Sequence, residues 1–333
     1  MMSDNEEFTR LTDPFRRELL VHCYRMLGSV HDAEDLVQET YLRAWRFFDG
    51  FEGNSSLRIW LYRIATNACL TALEHHSRRL LPSGLGAPGE DTDHPLRPLP
   101  GVDWVQPLPD AFFGTPGDTM AADPAAIVAS RDSVRLALIA ALQHLPAKQR
   151  AVLILRDVLA WRAGEVAELL DTTTAAVNSA LQRARAQIER VAPKEDELTE
   201  PAEPGVRAQL DQYMTAFENA DINLLLQLLR DDVALEMPPN PEWFAGRAKV
   251  LRFLAGNVLG RPGSYRMVAT QANGQPAAAA YSRGSDGVHH AHAVQVLTVT
   301  STGISRIVSF NDPSLFPLFD LDTTLGSARA PVS

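Results

Sequence analysis

The sequence predicts a multidomain protein in which two all-α domains are followed by an α+β cone. Apolar residues recur at helical spacing over residues 8–80 and again over 125–192. Between them, over residues 81–124, proline and glycine are dense and apolar periodicity is absent, as in a linker. Beyond residue 205 two helical patterns precede a run of strand patterns, which is the order typical of an α+β domain.

Composition narrows the class of protein. With 333 residues, 45% hydrophobic and 22% charged, the chain is long enough for two or three domains with their own cores. No run of about 18 apolar residues that could span a bilayer occurs, and the N-terminus lacks a signal-peptide pattern. We therefore expect a cytoplasmic protein. The net charge of −10 argues against a generic nucleic-acid coat, so a DNA reader must concentrate its Lys and Arg locally.

Cys23 and Cys69 each lie in an apolar helical stripe, outside any CxxC or Cys/His cluster. This indicates buried thiols in a reducing compartment, not a metal site or a disulfide. We expect no metal and no cofactor.

The first predicted domain contains three helices. Pro14 can open the first helix and Gly28 can end it. In the second, residues from Ala33 to Phe48 at spacings of three and four form an apolar face. Its other side is an acidic, amide-bearing ridge, which consists of Asp32, Glu34, Asp35, Gln38 and Glu39. After two glycines, Ser55 or Ser56 can cap the third helix.

The second predicted domain ends in a helix-turn-helix. A turn at residues 171–174 offers an N-cap, and the last helix runs to about Val191. Its buried seam includes Val177, Leu181 and Ala184. The opposite, polar and basic face contains Thr174, Asn178, Ser179, Gln182, Arg183 and Arg185. A DNA-reading helix and a plain helical hairpin with a solvated face both fit this pattern taken alone.

In the C-terminal domain, residues 247–259 predict a helix and residues 233–237, 266–270, 277–281, 290–300 and 304–310 predict strands. Four polar or aromatic residues of these strands could line a small-molecule pocket. Candidate lining residues are Glu236, Tyr281, His290 and His292. No carboxylate–histidine spacing among them is diagnostic of catalysis, so we do not expect an enzyme.

Several motifs resemble one family. The runs DAEDLVQET at 32–40 and SSLRIWLYRIATN at 55–67 resemble region 2 of the extracytoplasmic-function (ECF) sigma factors of the sigma-70 family. The run LPAKQRAVLILRD at 145–157, with the helix-turn-helix after it, resembles region 4. In the tail, EMPP, WFAGR and ANGQPA are similar to motifs of the SnoaL/NTF2-like fold. The resemblance implies six segments: region 2 at 8–80, a linker at 81–124, region 4 at 125–192, an acidic linker at 193–205, a SnoaL/NTF2-like domain at 206–320 and a tail at 321–333.

The resemblance implies a sigma factor that binds core RNA polymerase and promoter DNA. The acidic ridge would dock on the clamp helices of the largest polymerase subunit, since carboxylates suit a basic partner. The −10 element would meet Asn54, Ser55, Ser56, Arg58, Arg63 and Asn67. Small polar groups there can hold a base outside the stack, and arginines can follow phosphates. The polar face of the helix-turn-helix would read the −35 element through bidentate contacts.

The resemblance also implies that the C-terminal domain regulates the sigma factor. Expected contact residues are Trp104, Pro107, Asp110, Asn273 and Gln275. Our hypothesis is that the cone holds the two DNA faces at a non-productive spacing until it is released. Two alternatives remain at this stage: a helix-turn-helix regulator with a ligand-sensing tail, and a fused enzyme. A small ligand or an anti-sigma partner is left open, and no membrane partner is expected.

Overall fold

The structure, a computed structural model, describes residues 4–48, 56–75, 77–94, 96–113, 133–191 and 204–325. It divides the chain into two compact units, both of them discontinuous in sequence. The first unit consists of Met1–Arg79 and Asp110–Pro193, and the second of Leu80–Pro109 and Lys194–Ser333.

Four helices are described in the N-terminal part of the first unit. They are α1 (Asp4–Thr12), α2 (Arg16–Leu27), α3 (Val30–Arg46) and α4 (Leu57–His75). Gly28 ends α2 with φ 72°, a conformation that glycine adopts without strain. Ser29 then caps α3, since its hydroxyl accepts a hydrogen bond from the Asp32 amide at 3.1 Å.

Helix α1 was not expected, because residues 1–13 are polar. The helix is stabilised by its single aromatic residue, Phe8, which is buried and only 5% exposed. The Phe8 ring lies 5.2 Å from Trp45 and 5.1 Å from Phe48, both in edge-on geometry. These partners follow Phe8 by about three dozen residues, so local periodicity gives no sign of the contact.

Four further helices are described in the C-terminal part of the first unit. They are α5 (Leu136–Leu142), α6 (Ala147–Leu153), α7 (Ala163–Leu169) and α8 (Thr174–Val191). One π-helical turn, Ile154–Val158, extends α6. Helices α7 and α8 form the predicted helix-turn-helix, in which the Thr173 hydroxyl accepts from the Ala176 amide at 3.2 Å. The seam of α8 is buried as predicted, at Val177, Leu181 and Ala184.

Buried arginines join the two parts of the first unit. The Arg150 guanidinium donates to the Met26 carbonyl and to Gln143 Oε1. Arg25 donates to the Ser133 hydroxyl at 2.6 Å. Burial lowers the pKa of both arginines to about 10, so both stay charged at neutral pH. The two parts are therefore joined by buried hydrogen bonds as well as by apolar contacts.

The second unit is an α+β cone, which confirms the predicted fold class. Its strands are β1 (Leu229–Glu236), β2 (Trp243–Ala245), β3 (Tyr265–Ala272), β4 (Gln275–Arg283), β5 (His289–Thr300), β6 (Gly303–Phe310) and β7 (Thr324–Leu325). They lie in the order β2-β1-β6-β5-β4-β3, with β7 on β5. The pairing of β1 with β6 is parallel, and the other pairings are antiparallel.

The helices of the second unit are α9 (Pro204–Glu218), α10 (Ile222–Leu228) and α11 (Arg247–Phe253), and a π-helical turn, Leu254–Val258, extends α11. Tyr213 and Phe217 of α9 and Val250 of α11 share one buried cluster with Leu297 and Ile307 of the sheet. The helices thus cover one face of the sheet. Among the described residues, no helix has the length and apolarity needed to cross a bilayer.

The segment Leu80–Pro109, which we call the strap, packs in the second unit. Apart from a short 3-10 turn at Pro82–Gly84, its described residues form no helix. Val105 and Leu108 are fully buried, so this part of the predicted linker packs and is not a solvated tether. The predicted linker is thus divided: the strap lies in the second unit, Asp110–Phe113 forms a 3-10 turn in the first, and 114–132 lies outside the described residues.

Candidate polymerase and DNA interfaces

The acidic ridge lies on α3, on the side away from its buried face. Asp35 and Gln38 are exposed, and Glu34 is half-buried. Asp32 pairs with Arg79 at 2.5 Å, and Glu39 pairs with Arg43 one turn further on at 2.5 Å. Two of the four ridge carboxylates thus already have an internal cation, which leaves Glu34, Asp35 and Gln38 to a partner.

The ridge continues into an apolar patch that the sequence analysis did not single out. Leu42 is 61% exposed, Trp45 40% and Phe47 68%. Leu42 and Trp45 follow Gln38 by four and seven residues, so all three lie on one helix face. Exposed apolar residues in such a cluster mark interaction surfaces. The signal in the sequence was this helical spacing beyond the acidic run.

The residues predicted for the −10 element are only partly brought together. Arg63 and Asn67, one turn apart on α4, are exposed. Ser56 is exposed and caps the helix, its hydroxyl accepting from the Ile59 amide at 3.3 Å. Asn54 and Ser55 lie outside the described residues.

Arg58 lies apart from that exposed row. Its guanidinium makes a two-point ion pair with Glu18 of α2, at 3.0 and 2.9 Å. The same guanidinium carbon lies 5.1 Å from the Tyr62 ring centre and 5.8 Å from that of Trp161. Arg58 is thus engaged with three side chains of the first unit.

A neutral histidine holds α4 against α2. His22 is fully buried, with Nε2 2.9 Å from the Thr66 hydroxyl and its ring 5.0 Å from Tyr62. Burial, then the charges of Arg25 and Arg58, lower the His22 pKa from 6.5 to about 3. The ring is therefore uncharged at neutral pH. Tyr62 is fully buried in this unit, as a core residue is.

The face predicted for the −35 element is almost fully presented to solvent. Thr174, Asn178 and Gln182 follow each other at four-residue spacing on α8, and Ser179 and Arg183 lie beside them. All five residues are exposed. Arg185 is exposed as well, but it pairs with Asp157 of the π-helical turn at 2.8 and 2.7 Å.

Of the residues predicted for regulatory contacts, Asn273 binds the strap directly. Its side-chain Oδ1 accepts from the Leu108 amide at 2.8 Å. Its main-chain N–H donates to the Leu108 carbonyl at 2.8 Å. Asn273 has φ 58°, and with Gly274 it makes the turn between β3 and β4. Trp104 bridges to Leu80 within the strap, and Pro107 is buried.

The other two predicted regulatory residues lie elsewhere. Gln275 is buried, and its amide donates to the Leu297 carbonyl and the Thr298 hydroxyl of β5. Asp110 belongs to the first unit.

Other residues of the cone bind the strap through its main chain. The Glu236 carboxylate, held by Arg306, accepts from the Ser83 amide at 2.9 Å. The Trp243 indole donates to the Gly86 carbonyl at 2.9 Å. Asn257 donates to the Thr92 carbonyl at 2.8 Å. Because these contacts use backbone groups of the strap, they leave no side-chain pattern there to be recognised in the sequence.

The residues considered for a ligand pocket are held by separate partners. Glu236 binds Arg306 and the strap, the Tyr281 hydroxyl donates to the Asp322 carbonyl at 2.9 Å, and His290 pairs with Asp286 at 2.8 Å. Within the described ranges, no group of His, Cys, Asp and Glu could hold a metal ion.

Comparison with known proteins identifies the class first. Residues 11–79 match the family model of Sigma-70 region 2, and residues 135–188 match that of Sigma-70, region 4. The helical bundle and the helix-turn-helix therefore correspond to the two domains of a sigma-70 type initiation factor.

Relatives that match most of the chain identify a narrower group within the sigma-70 type factors. The chain is 49% identical over 321 residues to the ECF RNA polymerase sigma factor SigG of Mycobacterium tuberculosis, covering 96% of this chain and 85% of that protein. It is 29% identical over 253 residues to ECF sigma factor SigJ of the same organism, covering 74% and 72%. The crystal structure of SigJ shares the fold, with a TM-score of 0.60 at 24% identity over 96% of this chain and 100% of that one.

The chain belongs to the ECF RNA polymerase sigma factors. It binds core RNA polymerase and promoter DNA, and it directs promoter-specific initiation of transcription.

Proposed function

We propose a division of this work among four surfaces of the chain. The acidic ridge and its apolar extension bind core polymerase, α4 opens the −10 element, α8 reads the −35 element, and the cone regulates all three through the strap. The observation that supports this most is the row of exposed hydrogen-bonding side chains on α8, the second helix of a helix-turn-helix.

For polymerase binding, the acidic ridge provides charged and hydrogen-bonding groups, and the apolar patch provides hydrophobic surface. Asp35 and Gln38 provide carboxylate and amide groups for a basic helix. Leu42 and Trp45 add the apolar contact that usually supplies most of the binding free energy at protein interfaces. The two kinds of group lie on one face of α3, so a single partner helix can meet both.

For promoter recognition, the two DNA faces have different chemistry. Gln182 and Arg183 are long, exposed and able to make bidentate contacts with base edges in a major groove. On α4, Arg63 and Asn67 offer one phosphate contact and one base-edge contact. The −10 face therefore suits a single strand, and the −35 face suits a duplex.

For regulation, the hold of the cone on the strap is the relevant contact, since the strap connects region 2 to region 4. Asn273 fixes Leu108 at one end, and Glu236 fixes Ser83 at the other. We propose that the chain performs no catalysis of its own and acts in the cytoplasm together with polymerase. A separate anti-sigma partner is not required by this scheme.

The test is run-off transcription with core polymerase on a promoter library, with start sites mapped by sequencing. The full chain should select a defined −10 and −35 pair. Asn273→Gly keeps the turn but removes the acceptor for the Leu108 amide, and it should change the amount of transcript without changing the promoters chosen.

Asn219→Gly removes an exposed amide of the same cone away from the strap and serves as the matched control. Equal transcript from Asn273→Gly, the control and the unmodified chain would rule out regulation through the strap. Failure of the full chain to select any promoter would rule out the assignment of the two DNA faces.

A further inference from the structure

The strap consists of two parts that differ in burial. In the inner part, residues 103–109, Val105 and Leu108 are fully buried. In the outer part, residues 83–99, Thr92 is buried but most of the described residues are exposed. Release of the outer part therefore exposes little apolar surface, whereas release of the inner part would expose Val105 and Leu108.

The cone holds the outer part mainly through main-chain groups of the strap. The Trp243 indole donates to the Gly86 carbonyl at 2.9 Å, and the Trp243 carbonyl accepts from the Gly89 amide at 2.7 Å. Asn257 donates to the Thr92 carbonyl at 2.8 Å. Trp243 lies in β2, the strand at one edge of the sheet. Sheet edges bind extended peptides through main-chain hydrogen bonds, which do not depend on the side chains of the peptide.

Side chains of the cone select the residue type at three positions of the outer part. A Cβ at Gly89 would lie 3.2 Å from the buried Phe244 ring, so a larger residue fits only if the ring moves. Glu90, the next residue, pairs with Lys249 at 2.5 Å. Leu96 packs against the buried cluster of the cone. We call the surface formed by Trp243, Phe244, Lys249 and Asn257 the strap site.

We propose that the strap site also binds an extended acidic segment of a partner protein, which takes the place of the outer part of the strap. The partner segment carries the pattern that the strap itself shows: a glycine, a carboxylate directly after it, and an apolar residue where the strap has Leu96. Lys249 favours the acidic residue, and the edge of β2 favours an extended main chain. This inference rests on the proposed regulation through the strap.

The partner segment competes with a strap that belongs to the same chain as the cone. Such a tethered segment has an effective concentration on the order of millimolar. Exchange therefore requires a partner that also contacts the chain outside the strap site, or one that is concentrated near it. The inner part of the strap stays bound through Asn273 and Leu108, so the exchange frees only the outer part.

A fluorescein-labelled peptide of residues 82–100 is the probe, and its fluorescence anisotropy with the full chain measures binding. The unmodified chain should bind it weakly, because its own strap fills the strap site. Gly89→Val in the chain weakens the tethered strap and leaves the strap site intact, so the same peptide should bind at least about tenfold more tightly. Gly86→Ala is the matched control, since a Cβ there has nothing within 4 Å, and its affinity should equal that of the unmodified chain.

Altered peptides test the pattern. A peptide with Gly89→Val should not bind the Gly89→Val chain, and peptides with Glu90→Gln or Leu96→Ser should bind it at least about twofold more weakly than the native peptide. If Gly89→Val lowers the thermal stability of the chain too far, Leu96→Ser in the chain gives the same test, since Leu96 is only partly buried. Equal binding of all peptides, or no binding of the native peptide to either folded variant, overturns the proposal.

The oligomeric state distinguishes a partner protein from a second copy of this chain. Light scattering should give the mass of a monomer for the unmodified chain at the concentration of the binding assay. A dimer that Gly89→Val converts to a monomer would place the strap of a second copy in the strap site and would overturn the proposal of a partner protein.

Run-off transcription separates this inference from the regulation on which it rests. Unlabelled native peptide in excess should bring the transcript of the unmodified chain to the level that Gly89→Val gives without peptide, and the peptide with Gly89→Val should have no effect. Peptide binding without any change in transcript removes regulation through the strap and leaves the peptide site. A change in transcript with Asn273→Gly, together with no peptide binding to the Gly89→Val chain, removes the peptide site alone.

Discussion

The two proposed DNA faces of the first unit differ in how many of their side chains already bind other residues of the chain. On α8, Gln182 and Arg183 are exposed and point away from a buried seam. On α4, Arg58 is bound by Glu18 and covered by Trp161, while Arg63 and Asn67 stay exposed. In the proposed scheme, the −35 face can therefore meet duplex DNA in this form, and the −10 face must first exchange internal partners.

The largest effect is expected at the exposed face of α8. Gln182→Ala removes a side chain that can bind a base edge at two points, so discrimination at one −35 base pair should fall by about 1–3 kcal/mol. Competition binding of holoenzyme to promoters substituted at each −35 position measures this. Equal weakening on every sequence would show that Gln182 anchors the backbone and does not read a base. Arg190→Ala, further along α8, is the matched control for loss of a general contact.

The second largest effect is expected from His22, which holds α4, the helix of the proposed −10 face, against α2. The folded His22 pKa of about 3 lies below the ordinary 6.5, so the folded unit disfavours the proton that the unfolded chain accepts. Stability should be complete above pH 6.5 and should fall as the pH drops toward 3. Between pH 7.5 and 5 the expected loss is about 2 kcal/mol, measured by denaturant unfolding.

His22→Gln keeps a hydrogen-bonding group opposite Thr66 and should flatten this pH dependence. His75→Gln changes an exposed histidine at the end of α4 and should leave the dependence intact. A slope that persists in His22→Gln would assign the acid sensitivity to another group.

A smaller effect is expected from the counter-ion of Arg58. Glu18→Gln weakens a half-exposed ion pair, whose contribution is about 0.2–1 kcal/mol. The −10 strand should then compete more easily for Arg58, and holoenzyme binding to a forked −10 template should tighten by about two- to fivefold. Glu74→Gln, an exposed charge change on α4, is the control. Weaker binding with Glu18→Gln would mean that Glu18 positions Arg58 for DNA and does not withhold it.

The smallest effect is expected at the one paired arginine of the exposed face. Arg185 and Asp157 are both open to solvent, so their ion pair is screened and weak. Asp157→Asn should raise affinity for −35 duplex by less than about twofold, with a slightly steeper salt dependence. A large gain would show that Asp157 restrains this face in the way that Glu18 restrains the other.

Local pattern was sufficient for most of the fold. The seam of α8, with Val177 and Leu181, follows from helical spacing, and so does the exposed position of Gln182 opposite it. Strands β3, β5 and β6 contain the β-branched residues that are typical of strands, whereas β4 consists largely of alanine. The exposed extension of the ridge through Leu42 and Trp45 was also visible in principle, because it continues the spacing of Gln38.

Contacts between distant residues were not predictable in this way. Nothing near Arg58 in the sequence indicates Trp161, and nothing near Phe8 indicates α3 as its partner. The path of the strap depends on main-chain hydrogen bonds, such as that from Ser83 to Glu236, which do not constrain the side chains of the strap. Periodicity reports which side of an element is buried, and it does not report what covers that side.

The contacts between the cone and the strap can form only late in synthesis of the protein. Ser83 precedes its acceptor Glu236 by 153 residues, and Arg306, which fixes that carboxylate, is made later still. Region 2, the strap and region 4 therefore leave the ribosome before the cone exists. A chain whose translation stopped before β1 would carry both DNA faces and no means of holding the strap. In the proposed scheme, control by the cone therefore begins only when synthesis of the protein is nearly complete.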